Sequence, residues 1–237
     1  MHLVAQPIHT ERHFRQSEII KDIVIGMADG LTVPFALAAG LTSIPSASNG
    51  IIVTAGLAEI IAGSIAMSLG GYLAGKTEYD HYQAELEREY SEIKEFNEVE
   101  RQECKDIFAG YGLSPHAQDM IIEELAKDED KWVDFMMKYE LGLDKPDIRR
   151  ASQSARNIGL AYIAGGIVPL SAYFFTKHPD DGLIYSAAIT IVCLMSFGYF
   201  KSKFTGQSPL KGAFRTTLIG VLAAAAAFFI ARLFNAY

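Results

Sequence analysis

Two carboxylates, Asp22 and Asp29, lie in an apolar segment of the chain that reads DIVIGMADG. An ionisable side chain inside a membrane costs at least a few kcal/mol, and such residues usually face a cavity or an ion pathway. In a helix both aspartates project from nearly the same face, about 10 Å apart along the axis. Asp22 could instead be a solvated residue at the membrane surface, beside Lys21. The alternative for Asp29 is an internal ion pair, but the next three apolar segments contain no Lys or Arg.

The second apolar segment adds Glu59 and Met67, which share one helical stripe with Gly63. Counting from the centres of the two segments puts Met67 level with Asp29, within roughly 5 Å of the membrane centre. Glu59 then falls on the far side of that centre. Carboxylate and thioether together suit a first-row divalent transition metal better than Ca²⁺ or Mg²⁺. These residues predict a metal path through a membrane.

The elements that position these side chains are helices that cross the membrane. Half of the 237 residues are hydrophobic, and about 20 consecutive apolar residues suffice for one crossing. Five stretches qualify, roughly residues 22–43, 51–75, 157–176, 183–200 and 213–231. Charged residues concentrate between the second and third stretches. The sequence therefore predicts an all-α membrane protein with five transmembrane helices and one insert, divided at residues 1–76, 77–150 and 151–237.

Basic residues near the ends of the spans predict the orientation. Basic clusters lie before the first span, at the end of the insert and between the last two spans, and the connection after the third span offers only Lys177, so every cluster falls on one side of the membrane. We expect the N-terminus and the insert in the cytosol and the C-terminus across the membrane. No cleavable signal peptide is expected, so the first span is retained. The only cysteines, Cys104 and Cys193, predict no disulfide framework and a reducing compartment for the insert.

The insert is predicted to be a small bundle of three helices. The first runs from Thr77 to Phe108 and continues the second span. The second begins at Pro115 with Ser114 as its N-cap, and the third covers about residues 128–141.

Glutamates form a stripe on the first of these helices. Two E-x-x-E pairs fall inside an arc of about 80°, namely Glu89, Glu92, Glu100 and Glu103. In one continuous helix Glu89 and Glu100 are about 16 Å apart along the axis, so at least two metal sites are implied. The third helix adds Met136, Met137 and Glu140 as further candidate ligands.

A solvated acidic face is the alternative for this stripe, because most glutamate runs are of that kind. The two methionines could likewise belong to the bundle core with Trp132 and Phe135. Like charges three residues apart destabilise a helix by a few tenths of a kcal/mol per pair. Bound cations would compensate that cost, which favours the metal interpretation.

Together these residues resemble the plant type of the vacuolar iron transporter family, over nearly the whole chain. The resemblance rests on DIVIGMADGLTVPFALAAGLTS in the first span, EIIAGSIAMSLGGYLAGKTEYDHY in the second, the glutamate-rich helix, and GGIVPL in the third. Shorter nodulin-like relatives lack the insert. Its presence argues against that subgroup.

The resemblance implies a homodimer of five-span subunits in the vacuolar membrane that exchanges cytosolic Fe²⁺ for luminal H⁺. It implies Asp29, Glu59 and Met67 as the transport path, with Asp22 at its entrance. For the cytosolic metal-binding domain the matching residues are Glu89, Glu92, Glu100, Glu103, Met136, Met137 and Glu140. Mn²⁺, Co²⁺ and Zn²⁺ suit the same ligands. No prosthetic group and no nucleic-acid partner are expected.

Two rival functions use the same residues. The E-x-x-E pairs and the E-x-x-H motif of Glu78 and His81 are similar to those of a di-iron ferroxidase, but such sites need two E-x-x-H motifs from different helices. The other rival function is that of a membrane-anchored metal sensor, which does not require Asp29 or Glu59 within the membrane. We therefore expect a transporter and not an enzyme.

Overall fold

The structure, a computed structural model, describes residues 13–234. This range forms eight helices and no strand: α1 His13–Thr42, α2 Asn49–Glu95, α3 Asn97–Gly110, α4 Pro115–Leu125, α5 Glu129–Tyr139, α6 Arg150–Phe175, α7 Pro179–Phe204 and α8 Pro209–Phe234. By chain contacts it divides into two compact units. Residues 73–151 form one, and the chain before and after them forms the other.

Five helices in the described part of the chain are long and apolar enough to cross a membrane, which confirms the predicted number of spans. They are α1 from Glu18, α2, α6, α7 and α8. Helix α2 has 47 residues and is therefore about 70 Å long, more than twice the thickness of a bilayer core. Only its apolar part, about residues 51–75, suits the membrane. The predicted continuity between the second span and the first helix of the insert is confirmed.

The prediction of one unbroken helix as far as Phe108 is wrong, because the helix breaks at Phe96. The backbone of Phe96 leaves the helical region, with φ −125° and ψ 33°. The side-chain amide of Asn97 donates to the Ile93 carbonyl at 3.1 Å. Asparagine competes with regular helix hydrogen bonds in this way, and its amide satisfies a carbonyl at the end of α2. Helix α3 starts immediately afterwards.

The other helix starts of the insert follow the sequence. Ser114 caps α4 by accepting from the Ala117 amide at 3.4 Å, with a proline at the first helical position. Asp128 caps α5 by accepting from the Lys131 amide at 3.3 Å. The helices enclose an apolar core of Tyr82, Ile93, Cys104, Ile122, Trp132, Val133, Met136 and Met137.

In the other unit, α6 packs closely against both α1 and α2. A Cβ atom added to Gly30 of α1 would overlap the backbone of Tyr162 in α6, and one added to Gly165 would lie 2.9 Å from the Leu31 nitrogen. On the α2 side, Gly63 leaves the space that the Tyr162 side chain occupies. Small residues let membrane helices approach this closely. The packing places side chains of α6 beside the predicted metal path.

Candidate metal sites

Three carboxylates from three helices of the insert converge on one point. Glu89 lies on α2, Glu100 on α3 and Glu140 at the C-terminal end of α5, and one oxygen from each lies within 4.8 Å of the others. Glu89 and Glu100 are buried, with 1% and 4% of their surface exposed. Glu140 remains exposed and leaves the cluster open on its side.

This convergence corrects the expectation that Glu89 and Glu100 lie too far apart to share an ion. That expectation assumed a continuous helix. The structure has a break in the helix at Phe96, between the two residues, and it places a Glu100 oxygen within 4.8 Å of a Glu89 oxygen. The geometry allows one ion to contact both residues and Glu140, so separate sites for the two E-x-x-E pairs are not required.

The cluster carries negative charge that the neighbouring protein groups do not balance. Burial, together with the carboxylates of Glu140 and Glu100, raises the pKa of Glu89 to about 7. Burial also raises the pKa of Glu100 to about 7, with Glu103 and Glu140 acting in the same direction. One oxygen of each buried glutamate has no hydrogen-bond partner among the described residues. A bound cation would satisfy both deficits, and carboxylate oxygens are suitable ligands for divalent metals.

The second members of the two E-x-x-E pairs, Glu92 and Glu103, surround this cluster. Both are half-buried. Burial is the largest cause of the raised pKa of Glu140, and Glu103 and Glu92 raise it as well. Arg88 opposes these effects in part, and its Nε lies 3.7 Å from a Glu92 oxygen. Glu92 and Glu103 therefore add to the negative potential around the cluster.

Met136 and Met137 are both core residues in the structure, with 0% and 1% exposed surface. They pack with Trp132 and half-buried Phe135, as the core alternative predicted. The Met136 sulfur also accepts a hydrogen bond from the Cys104 thiol at 3.3 Å. Their role as metal ligands stays a prediction.

The E-x-x-H motif lies apart from the carboxylate cluster. Glu78 and His81 are exposed, and the His81 Nδ1 lies 3.9 Å from a Glu85 oxygen. The cluster formed by the described residues consists of three glutamates without a histidine. This arrangement does not favour a di-iron site with paired E-x-x-H motifs.

Among the membrane helices, Asp22 is buried against α6. Its carboxylate accepts from the Ser154 hydroxyl at 2.9 Å and from the Asn157 side-chain amide at 3.3 Å. Only 1% of its surface is exposed, so a fully solvated side chain, the alternative from the sequence, does not describe it.

Glu59 contacts the same helix further along it, at Tyr162. One of its carboxylate oxygens accepts from the Tyr162 hydroxyl, and the other is buried without a hydrogen-bond partner in the described part of the chain. Asp29, which is half-buried, lies near enough to interact electrostatically with the same tyrosine. Tyr162 therefore interacts with two residues of the predicted metal path, Glu59 and Asp29. Met67 is half-buried, two turns of α2 beyond Glu59.

Sequence reasoning missed the α6 residues Ser154, Asn157 and Tyr162. Ser154 and Asn157 lie in the first turns of α6, and Tyr162 lies at its middle. Ser154 lies about 60° from Asn157 and about 80° from Tyr162 around the helix axis, and this spacing is the signal that could have identified them.

The chain matches known proteins over most of its length. A family model described as the VIT family matches residues 20–232. The chain belongs to the VIT family. It is 51% identical to Vacuolar iron transporter 1 of Arabidopsis thaliana, over 94% of this chain and 89% of the relative. It is 50% identical to Vacuolar iron transporter 1 of Tulipa gesneriana, over 94% and 90%.

A more distant match is Protein CCC1 of Saccharomyces cerevisiae, 40% identical over 90% of this VIT-family chain and 68% of the relative. The matched range covers the insert and all but the outermost residues of the five spans. The resemblance predicted from the motifs is therefore confirmed, and these relatives are named as transporters and not as enzymes.

Proposed function

We propose that this VIT-family protein carries Fe²⁺ from the cytosol into the vacuole in exchange for H⁺. The proposal rests mainly on half-buried Glu59 within the unit of apolar helices. One of its carboxylate oxygens accepts from the Tyr162 hydroxyl, and the other is buried without a hydrogen-bond partner among the described residues. Such a group can bind a cation or a proton but not both at once. Mutually exclusive occupancy is what an antiporter requires. The relatives named vacuolar iron transporters support iron as the cargo.

In this proposal the metal passes carboxylates in sequence. Asp22 receives it near the cytosolic surface, where Ser154 and Asn157 hold the carboxylate in place. Asp29 and Glu59 take it next, and the Met67 thioether favours a transition metal over Ca²⁺ or Mg²⁺. Protons from an acidic lumen then displace the metal from these carboxylates.

The insert serves as the cytosolic collector of metal for this path. Its carboxylate cluster at Glu89, Glu100 and Glu140 binds Fe²⁺ and raises its concentration near the membrane. The remaining proposed ligands are Glu92, Glu103, Met136 and Met137. Mn²⁺, Co²⁺ and Zn²⁺ are accepted by the same groups. We also propose that two copies form a homodimer in the vacuolar membrane, with the N-terminus and insert in the cytosol and the C-terminus in the lumen.

Uptake into proteoliposomes with an acidic interior tests the proposal. The purified protein should take up Fe²⁺ when the pH gradient is imposed and lose uptake when the gradient is collapsed. Asp29→Asn should abolish pH-driven uptake, because the amide can hold neither a proton nor a metal as a carboxylate does. The expected loss is to background, with normal yield and secondary structure.

Asp181→Asn is the matched control, because Asp181 is an exposed aspartate in the first turn of α7. It should transport as the wild type does. Near-normal uptake by Asp29→Asn under the same gradient would overturn the assignment of Asp29 to the path.

A further inference from the structure

Four basic residues lie close together where α7 ends and α8 begins. Lys201 and Lys203 lie in the last turn of α7, and Lys211 and Arg215 lie in the first two turns of α8. All four are exposed, and none forms a salt bridge with another described residue. No Asp or Glu follows Asp181 in the sequence. This positive patch contrasts with the net charge of −7 of the whole chain.

Three of the four cations share one face of the helix pair. A Cβ atom added to Gly212 of α8 would overlap the side chain of Ser202 in α7, and one added to Gly220 would overlap Leu194, so the two helices are antiparallel. Successive residues turn by about 100° around each helix. Seen from the contact of Ser202 with Gly212, Lys203 therefore projects to one side. The other three basic residues project to the opposite side, and they are Lys201, Lys211 and Arg215.

Helix α1 packs against the other side of α8. Ala224 is buried in one apolar cluster with Phe35 and Ala39 of α1. Ala224 follows Arg215 by nine residues, which is half a rotation around the helix. The face of α8 that carries Arg215 is therefore turned away from α1, and the side chain is exposed.

Exposed apolar side chains continue the same face of α8 into the membrane span. Leu218 and Leu222 lie three and seven residues beyond Arg215, so they project from nearly the same face. Of their surfaces, 44% and 59% are exposed. Cations at the end of a span, followed by exposed leucines, match the order of groups in a phospholipid, in which a charged headgroup is joined to acyl chains. A small soluble anion would have no use for the leucines.

We propose that Lys201, Lys211 and Arg215 bind the headgroup of an anionic phospholipid whose acyl chains lie along Leu218 and Leu222. Basic clusters at the cytosolic ends of spans attract such lipids, and each Lys or Arg strengthens binding about fivefold. Both side chains donate charge-assisted hydrogen bonds to phosphate oxygens. The inference goes beyond the proposed transport and does not depend on it, since it needs only that α8 spans the membrane.

The test is native mass spectrometry of the full-length protein released from detergent micelles that contain phosphatidylserine or phosphatidylcholine. The measurement counts the lipids that stay bound. We expect the wild type to retain phosphatidylserine and not phosphatidylcholine. Glycerophosphoserine, which is the same headgroup without acyl chains, should not displace the lipid. Equal retention of both lipids, or displacement by glycerophosphoserine at the concentration of the lipid, would overturn the lipid site.

The double variant Lys211→Gln with Arg215→Gln should bind phosphatidylserine about 25-fold more weakly, from two factors of about five. Lys177→Gln with Lys203→Gln is the matched control, because it removes the same charge from exposed lysines outside the site. It should bind as the wild type does, and both variants should keep the wild-type Tm without lipid. Equal weakening in both would show only diffuse attraction to positive charge and would overturn the site, as would unchanged binding by the first variant. Fe²⁺ uptake is a separate measurement, and its loss in the wild type would contradict the proposed function only.

Discussion

The carboxylates of Glu89 and Glu100 lie within 4.8 Å of each other although they belong to different helices, α2 and α3. Both are buried, and each has an oxygen without a hydrogen-bond partner in the described range. Two such groups this close repel when both are ionised. The insert therefore holds an arrangement that a divalent cation or protons would stabilise.

Without metal, the insert should become less stable as pH rises from about 4.5 to about 7. The pKa of each of Glu89 and Glu100 is raised from 4.5 to about 7 in the folded chain. The folded state therefore holds more protons than the unfolded state across that window, and the free energy of unfolding falls as pH increases. Hydrogen exchange of α3 and α5 in the full-length protein with chelator present measures this, after correction for the intrinsic exchange rate.

Two controls sharpen that measurement. Glu89→Gln with Glu100→Gln should flatten the pH dependence, because the amides do not titrate. Saturating Co²⁺ should raise protection most at pH above 7, where the carboxylates are free to bind it. Protection of the metal-free wild type that rises with pH through this window would contradict the prediction.

Gly30→Ala should destabilise the packing of α1 on α6. The added Cβ would overlap the Tyr162 backbone, including its Cα at 2.9 Å, and overpacking of this kind costs about 1–3 kcal/mol. Gly50→Ala is the matched control, since its nearest atom is the Ser48 hydroxyl at 3.8 Å. Thermal unfolding in detergent should show a lower Tm for Gly30→Ala only. Equal Tm values would mean that the two helices separate easily at this point.

Tyr162→Phe should slow Fe²⁺ uptake at least tenfold while preserving the fold. It removes the hydroxyl that donates to Glu59, and a hydrogen bond to a charged group is worth about 1.5–3 kcal/mol. Initial uptake rates in proteoliposomes measure the effect. Tyr185→Phe, an exposed tyrosine on α7, should transport normally. Equal rates for the two variants would remove Tyr162 from the path.

The spans and helix starts could be predicted because they depend on local patterns. Continuous apolar runs identified the five membrane helices, and Ser114 and Asp128 act as caps next to their own helices. The placement of the insert's glutamates on one helical face could also be predicted, because it follows from helical spacing.

The break at Phe96 could not be predicted, because FNE contains no proline or glycine and fits a helix. The chain leaves the helix there because α3 packs back into a shared core with Ile93 and Cys104, a tertiary effect that outweighs local propensity. The partnership of Glu59 with Tyr162 is likewise long-range, joining α2 to α6. Sequence spacing within one helix carries no information about it.

Simultaneous measurement of Fe²⁺ and H⁺ flux tests the exchange most directly. In proteoliposomes with an acidic interior and an internal pH dye, the internal pH should rise when Fe²⁺ is added outside. The ratio of H⁺ lost to Fe²⁺ gained should be fixed. Asp29→Asn vesicles should show neither flux, and Asp181→Asn vesicles should show both. Fe²⁺ entry through the wild-type protein without any loss of internal H⁺ would contradict antiport.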